Sequence, residues 1–237
     1  MTLLALLLAL LAERVATRLW HLREAHWLDG YAAWVRARLA GRSGAVGHLL
    51  CASLVLLPAT PVALAAAWLA EAAPAIVWLV FASLVLVFSL GPRDLGDEVD
   101  DYVDRELAGD EAAARRAAAE IIEHDAAQRR GVRAESVEDA IFVQANNRVF
   151  GVVFWFVVLG PTGLGPAAAW LFRASDLMRR SDIAARHGAT DGQGCAERVH
   201  FALAWLPARL LALGYAFAGS FEDARQGWRE RYAELPA

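Results

Sequence analysis

The sequence predicts an all-α, multi-pass helical membrane protein with a broken or re-entrant segment and a cytoplasmic helical region. Three observations carry this expectation. Hydrophobic residues make up 57% of the 237 residues and mean hydropathy is +0.34, above the apolar share of about 45–50% usual in a soluble domain. Two apolar runs, Leu49–Ala70 and Ala75–Leu90, are joined only by Glu71–Pro74, a link short enough to make them an antiparallel hairpin. A third apolar stretch, Asn147–Met178, is interrupted by Gly160–Pro166, which holds two prolines and three glycines. No straight helix continues through such a sequence, because proline lacks the N–H and glycine costs backbone entropy.

Residues 1–48 are expected to form interfacial N-terminal helices. Met1–Ala12 is apolar, and its first charges, Glu13 and Arg14, come after it. A secretory signal has the opposite order, so the run reads as retained. Leu3–Ala40 looks largely helical, with Trp20, Trp27, Tyr31 and Trp34 set among arginines. Such rings and snorkelling arginines suit the headgroup region; a soluble amphipathic helix is the alternative. Asp29-Gly30 marks a turn or a helix restart.

Residues 49–90 form the transmembrane hairpin. Arg36, Arg38 and Arg42 precede it and Arg93 follows it, while its link has no arginine. The positive-inside rule puts Glu71 in the periplasm and Asp110 and Ala184 in the cytoplasm of a bacterial inner membrane. Residues 91–146 turn polar and helical, with Asp110 as an N-cap and Ala118, Ile121 and Ile122 as an apolar stripe. Asp97, Glu98, Asp100, Asp101 and Asp104 lack the spacing of a calcium loop and read as a solvated acidic face.

Residues 147–178 are the broken membrane segment, flanked by Arg148 and Arg173, with both ends expected on the cytoplasmic side. Two ordinary short helices joined by a surface turn are the alternative. Residues 196–220 form a further membrane helix that carries His200, Pro207 and Arg209. An arginine near a helix centre costs roughly 2.5–3.5 kcal/mol on insertion scales and usually faces a polar interior. It either serves a ligand or pairs with an acid such as Asp176. Polar groups at membrane depth are paired or line a cavity. Asn146, Asn147, Arg148, Asp176, His200 and Arg209 are therefore the candidate ligand-binding residues, expected to converge near the Gly160–Pro166 break. A simple four-span anchor is the architectural alternative.

Cys51 and Cys195 suggest neither a disulfide framework nor a metal spacing, and fit a reducing compartment or a buried site. The net charge of −4 and the lack of a basic stripe exclude a nucleic-acid footprint. There is no Walker-type loop, nucleophile elbow or zinc-type histidine pair, so no cofactor is assigned.

The opening MTLLALLLALLAERV, the helix GDEAAARRAAAEIIEHD, the run GVVFWFVV with its glycine-rich break, and LAWLPARLLAL together resemble the AmpE family. These are inner-membrane proteins linked to β-lactamase induction, and they are similar in turn to the CobD/CbiB membrane synthases of cobalamin assembly. The synthases' Pro-Ala-Arg stands here at Pro207, Ala208 and Arg209. The synthase resemblance implies joining an amino-alcohol phosphate, or a related amine, to a corrinoid carboxylate, with nucleoside triphosphate and metal. The sequence departs from that pattern. Val143, Gln144 and Asn147 stand where the synthases carry a Glu-Asn pair and an Asp, and His200 and Phe201 stand where they carry paired Asp. Asp176 and Met178 echo the synthases' Asp-Ser-Met, and Asp125 and Asp139 keep acidity nearby. An amide does not replace a carboxylate as a metal ligand or base. The AmpE resemblance therefore implies a regulatory or sensory membrane protein of the β-lactam response, binding an anionic or phosphorylated small molecule and signalling to a cytoplasmic partner. The alternative is a membrane enzyme forming amides on an amphiphilic substrate.

Overall fold

The computed structural model describes residues 2–16, 27–39, 44–90, 95–121, 134–186 and 194–218, and every regular element among them is helical. In order these are α1 (Thr2–Ala16), α2 (Trp27–Leu39), α3 (Gly44–Leu56), α4 (Thr60–Ala72), α5 (Ala75–Ser89), α6 (Leu95–Leu107), α7 (Glu111–Ile121), α8 (Ala134–Ala145), α9 (Gly151–Val158), α10 (Gly165–Arg186) and α11 (Cys195–Ala218). This is an all-α membrane protein. Ala45–Ala72, Ala140–Val158 and Cys195–Phe217 are long and apolar enough to cross a bilayer, while Thr2–Ala12 and Ala75–Ser89 are apolar but shorter.

Prolines shape the apolar helices, and aromatic side chains from neighbouring helices fill the gaps they leave. Pro58 has no N–H to offer the carbonyl of Leu54, and the Tyr31 hydroxyl donates to it instead at 2.6 Å. Pro207 similarly frees the carbonyl of Leu203, which accepts from Trp155 Nε1 at 3.1 Å. Pro61 frees the carbonyl of Leu57, and Thr60 Oγ1 donates to it at 2.7 Å. The short 3₁₀ turn Leu57–Ala59 that joins α3 to α4 also presents the Pro58 carbonyl to Trp170 Nε1, 3.1 Å away. Unpaired carbonyls are costly in hydrocarbon, so Pro58 and Pro207 each in effect specify a helix–helix contact, while the carbonyl freed by Pro61 is satisfied locally by Thr60.

Packing is organised by small residues. Ala5 and Ala9 of α1 are fully buried against Trp78, Ala82 and Leu86 of α5, a cluster completed by Val152, Phe156 and Phe172. Small residues let apolar helices approach closely. A second cluster joins Leu28, Ala32 and Val35 of α2 to Val55, Ala174, Met178 and Ala196. The third lies in the polar region, where Ala118 and Ile121 pack on Val137; Ile122 lies outside the described residues. Gly109, with φ of 72°, ends α6, and Asp110 caps α7 by accepting from Ala113 N–H at 3.0 Å.

The structure changes several sequence expectations. Asp29 and Gly30 lie within the first turn of α2. Cys51 and Cys195, read as unrelated, are joined as a disulfide with Cα atoms 6.0 Å apart; sequence spacing could not show this, because 144 residues separate them. Asp100, Asp101 and Asp104 are exposed as expected. Glu98 instead turns into the bundle, its side chain 10% exposed. The side chain of Asp97 lies outside the described residues.

Candidate functional site

The broken segment is a helical hairpin. Its tip is the 3₁₀ turn Gly160–Thr162 followed by Gly163, whose φ of 78° suits glycine. At its base, α8 passes into α9 through a π-turn, Asn146–Phe150. Consecutive residues of an α-helix point about 100° apart, so three in a row rarely share one side. The wider π-turn buries Asn146, Asn147 and Arg148 together, and such turns recur at functional sites. Two close contacts set the hairpin. A Cβ on Gly151 would lie 2.3 Å from the Phe172 ring, and one on Gly165 would lie 2.5 Å from the Phe156 carbonyl.

Facing the π-turn, Asp176 on α10 is fully buried and gathers three guanidinium groups of its own helix. Arg179 donates to its Oδ1 at 2.7 Å, and Arg180 and Arg173 donate to its Oδ2 at 3.0 and 3.1 Å. The i−3, i+3 and i+4 spacings put all three on one helix face. Arg180 also reaches Gln144 Oε1 at 3.0 Å, which accepts from Arg148 Nε at 2.9 Å as well. Gln144 in turn donates to the Ile121 carbonyl at 3.2 Å, and Arg148 pairs with Glu98 at 2.8 Å. The polar region is thereby tied to the α9–α10 hairpin through buried ionic and amide contacts.

His200 enters from α11. Its Nε2 stands 3.2 Å from Asn147 Oδ1 and 3.8 Å from Asp176 Oδ1, and its Nδ1 stands 3.0 Å from Ser175 Oγ. Ser175 Oγ also lies 2.8 Å from the Phe172 carbonyl, and the Phe172 ring packs on the imidazole with centroids 5.0 Å apart. Asn146 Nδ2 donates to Asn147 Oδ1 at 3.3 Å. The buried Oδ1 of Asn146 has no hydrogen-bond partner among the described residues.

Five of the six candidates therefore come together: Asn146, Asn147, Arg148, Asp176 and His200. Arg209 does not. Its guanidinium lies on an exposed face of α11, 3.8 Å from the Trp205 ring centroid, and bonds the Trp205 carbonyl at 3.4 Å. Among the described residues it pairs with no acid, and Asp176 is held by other arginines. Nor does the cluster sit at the Gly160–Pro166 break; about 16 Å of helix, at ~1.5 Å per residue, separates Gly165 from Asp176. Sequence reasoning missed Glu98, Gln144, Ser175, Arg179 and Arg180. The arginines were legible from their spacing to Asp176. Glu98 and Gln144 were not, since their partners come from distant segments.

The described residues do not fit a divalent cation. No three of His, Cys, Asp and Glu come together among them as a metal site, and both oxygens of Asp176 are already held by guanidinium groups.

A family model described as CobD/Cbib protein matches residues 5–235. The cobalamin biosynthesis protein CobD of Stutzerimonas stutzeri (strain A1501) is 31% identical over 194 residues, covering 80% of this chain and 60% of that protein. The chain thus spans well under the full length of that relative. No solved structure matches. These findings carry the CobD/CbiB side of the sequence resemblance and give no support to the AmpE side. They overturn the expected regulatory function in the β-lactam response, because the family and the relative both point to cobalamin biosynthesis.

Proposed function

This chain belongs to the CobD/CbiB family, and from that membership we propose that it is a multi-pass inner-membrane enzyme that forms an amide between an amine and the carboxyl of a large amphiphilic acid. The observation that carries this reading is the family match across nearly the whole chain, residues 5–235. The base of the α9–α10 hairpin supports it, since it gathers buried amide, imidazole and guanidinium groups beside a membrane. In the reaction the amine nitrogen attacks the carbonyl carbon of a carboxyl activated by a nucleoside triphosphate. A C–N bond forms, the C–O bond to the phosphoryl leaving group breaks, and the amine proton passes to solvent or a neighbouring base.

Asn146, Asn147 and His200 are the groups we assign to the amine side. Asp176 holds Arg173, Arg179 and Arg180 in place, and guanidinium groups suit carboxylate or phosphate partners. We place the site on the cytoplasmic side, because Arg36, Arg38 and Arg42 flank the first hairpin there.

The test is turnover by purified protein in lipid nanodiscs, given a corrinoid carboxylic acid, ethanolamine phosphate and ATP with Mg²⁺. Amide product from the wild type, abolished in Asp176→Ala, supports the reading. Absence of product with every primary amine tried, from protein that is folded, overturns it.

A further inference from the structure

We propose that Asn146 Oδ1 is the hydrogen-bond acceptor for the amine substrate, held in that role by a relay running through Asn147, His200 and Ser175. The proposal rests on the amide-forming reading and assigns one side of its site.

Asn146 is 5% exposed, and its Nδ2 is used while its Oδ1 is not. A buried polar atom without a partner is costly and persists where something else supplies the bond. Which atom of the amide is free follows from its neighbours. Ser175 Oγ donates to the Phe172 carbonyl at 2.8 Å and stands 3.0 Å from His200 Nδ1. His200 Nε2 faces Asn147 Oδ1 with the Asp176 carboxylate behind it, and that carboxylate favours a proton on Nε2. With Nε2 protonated, Asn147 offers its oxygen to His200. The same oxygen receives Asn146 Nδ2, which leaves Asn146 Oδ1 as the free atom. The carboxylate behind Nε2 disfavours the remaining tautomer, which would reverse both amides. The free group is therefore an acceptor, and it selects an N–H or O–H donor over an anion. Within a site of amide formation, the donor is the amine.

The π-turn makes this geometry possible, since it turns Asn146 and Asn147 inward side by side. His200 and Ser175 act as positioning residues, because they reach the ligand only through the two asparagines.

The experiment compares two ligands, ethanolamine phosphate and phosphocholine, by equilibrium dialysis against protein in nanodiscs. Phosphocholine keeps the phosphate and lacks any N–H. Wild type is expected to prefer ethanolamine phosphate by about tenfold, the worth of one good hydrogen bond. Asn146→Leu should lose that preference, and Asn146→Asp, which keeps an acceptor oxygen, should retain it. Equal affinity of the two ligands in wild type, a preference unchanged in Asn146→Leu, or no binding of either overturns the proposal. If Asn146→Leu does not fold, Asn146→Asp and the wild-type ligand pair decide by the same criteria. A lower melting temperature in Asn146→Leu with the preference intact means that a structural water fills the site, which also overturns it. Binding with the expected preference but no turnover leaves the assignment standing and removes the amide-forming reading instead.

Discussion

The two ends of the α9–α10 hairpin are built on opposite principles. The tip, Gly160–Gly165, is made by backbone shape. Gly163 takes a positive φ, Gly165 lets the chain pass against the Phe156 carbonyl, and a Cβ on Gly160 would strike Thr2 of α1. The base is made by side chains: a buried carboxylate, its guanidinium partners, two asparagines and an imidazole. The tip is conspicuous in the sequence and the base is not, yet the base gathers the buried polar groups. A break in an apolar run marks where the chain turns; it does not mark where those groups meet.

The sharpest way to break this contrast is to remove the centre of the base. Asp176→Ala leaves three guanidinium groups around an apolar gap. Breaking a buried ion pair from one side costs about 3–5 kcal/mol, and the loss here is expected at the upper end because three donors lose one acceptor. Chemical denaturation in mixed micelles would measure it. The same variant should also lose affinity for ethanolamine phosphate, since Asp176 backs His200. A variant as stable as wild type would mean that the arginines find other partners, and the base would not be a single ionic unit.

At the tip, Gly165→Ala puts a methyl group 2.5 Å from a backbone oxygen, which cannot swing aside as a flexible side chain can. Overpacking of this kind costs about 1–3 kcal/mol. The expected outcome is a lower melting temperature with unchanged ethanolamine phosphate affinity, read at a temperature where the protein remains folded. If affinity falls together with stability, tip and base are mechanically coupled and do not act independently.

The sequence made the helical class and most element positions legible for physical reasons. The apolar runs placed α5 closely, with the link at Ala73-Pro74 inside the expected Glu71–Pro74, whereas α3 begins at Gly44, ahead of the Leu49–Ala70 run, and the turn Leu57–Ala59 divides that run. The cap at Asp110 was readable because it is local. Tertiary contacts were not. Nothing in the order of residues says that Tyr31 completes the carbonyl freed by Pro58, that Cys51 meets Cys195, or that Glu98 leaves an acidic face to pair with Arg148. The polar candidates were found by one rule, that a polar residue in an apolar helix has a reason to be there. That rule found Asn146, Asn147, Asp176 and His200, but it cannot say which way a helix faces.

Arg209 is where the rule misled, and it gives the smallest expected effect. Its side chain turns back one helical turn to stack on Trp205, a partner visible in the sequence as an i, i+4 pair. A cation–π contact of this kind contributes about 0.5–1 kcal/mol at an exposed site. Arg209→Ala should therefore lower stability by no more than that. It should leave the ethanolamine phosphate affinity within about twofold of wild type, the ordinary range of surface substitutions. The comparison with Asp176→Ala is the informative one, since both residues are charged and both lie in helices that the sequence marks as apolar. If Arg209→Ala abolishes binding as fully as Asp176→Ala, then α11 must rotate or shift to bring its exposed face to the ligand. In that case the ligand-binding role first expected of Arg209 would be restored in a second conformation of the helix.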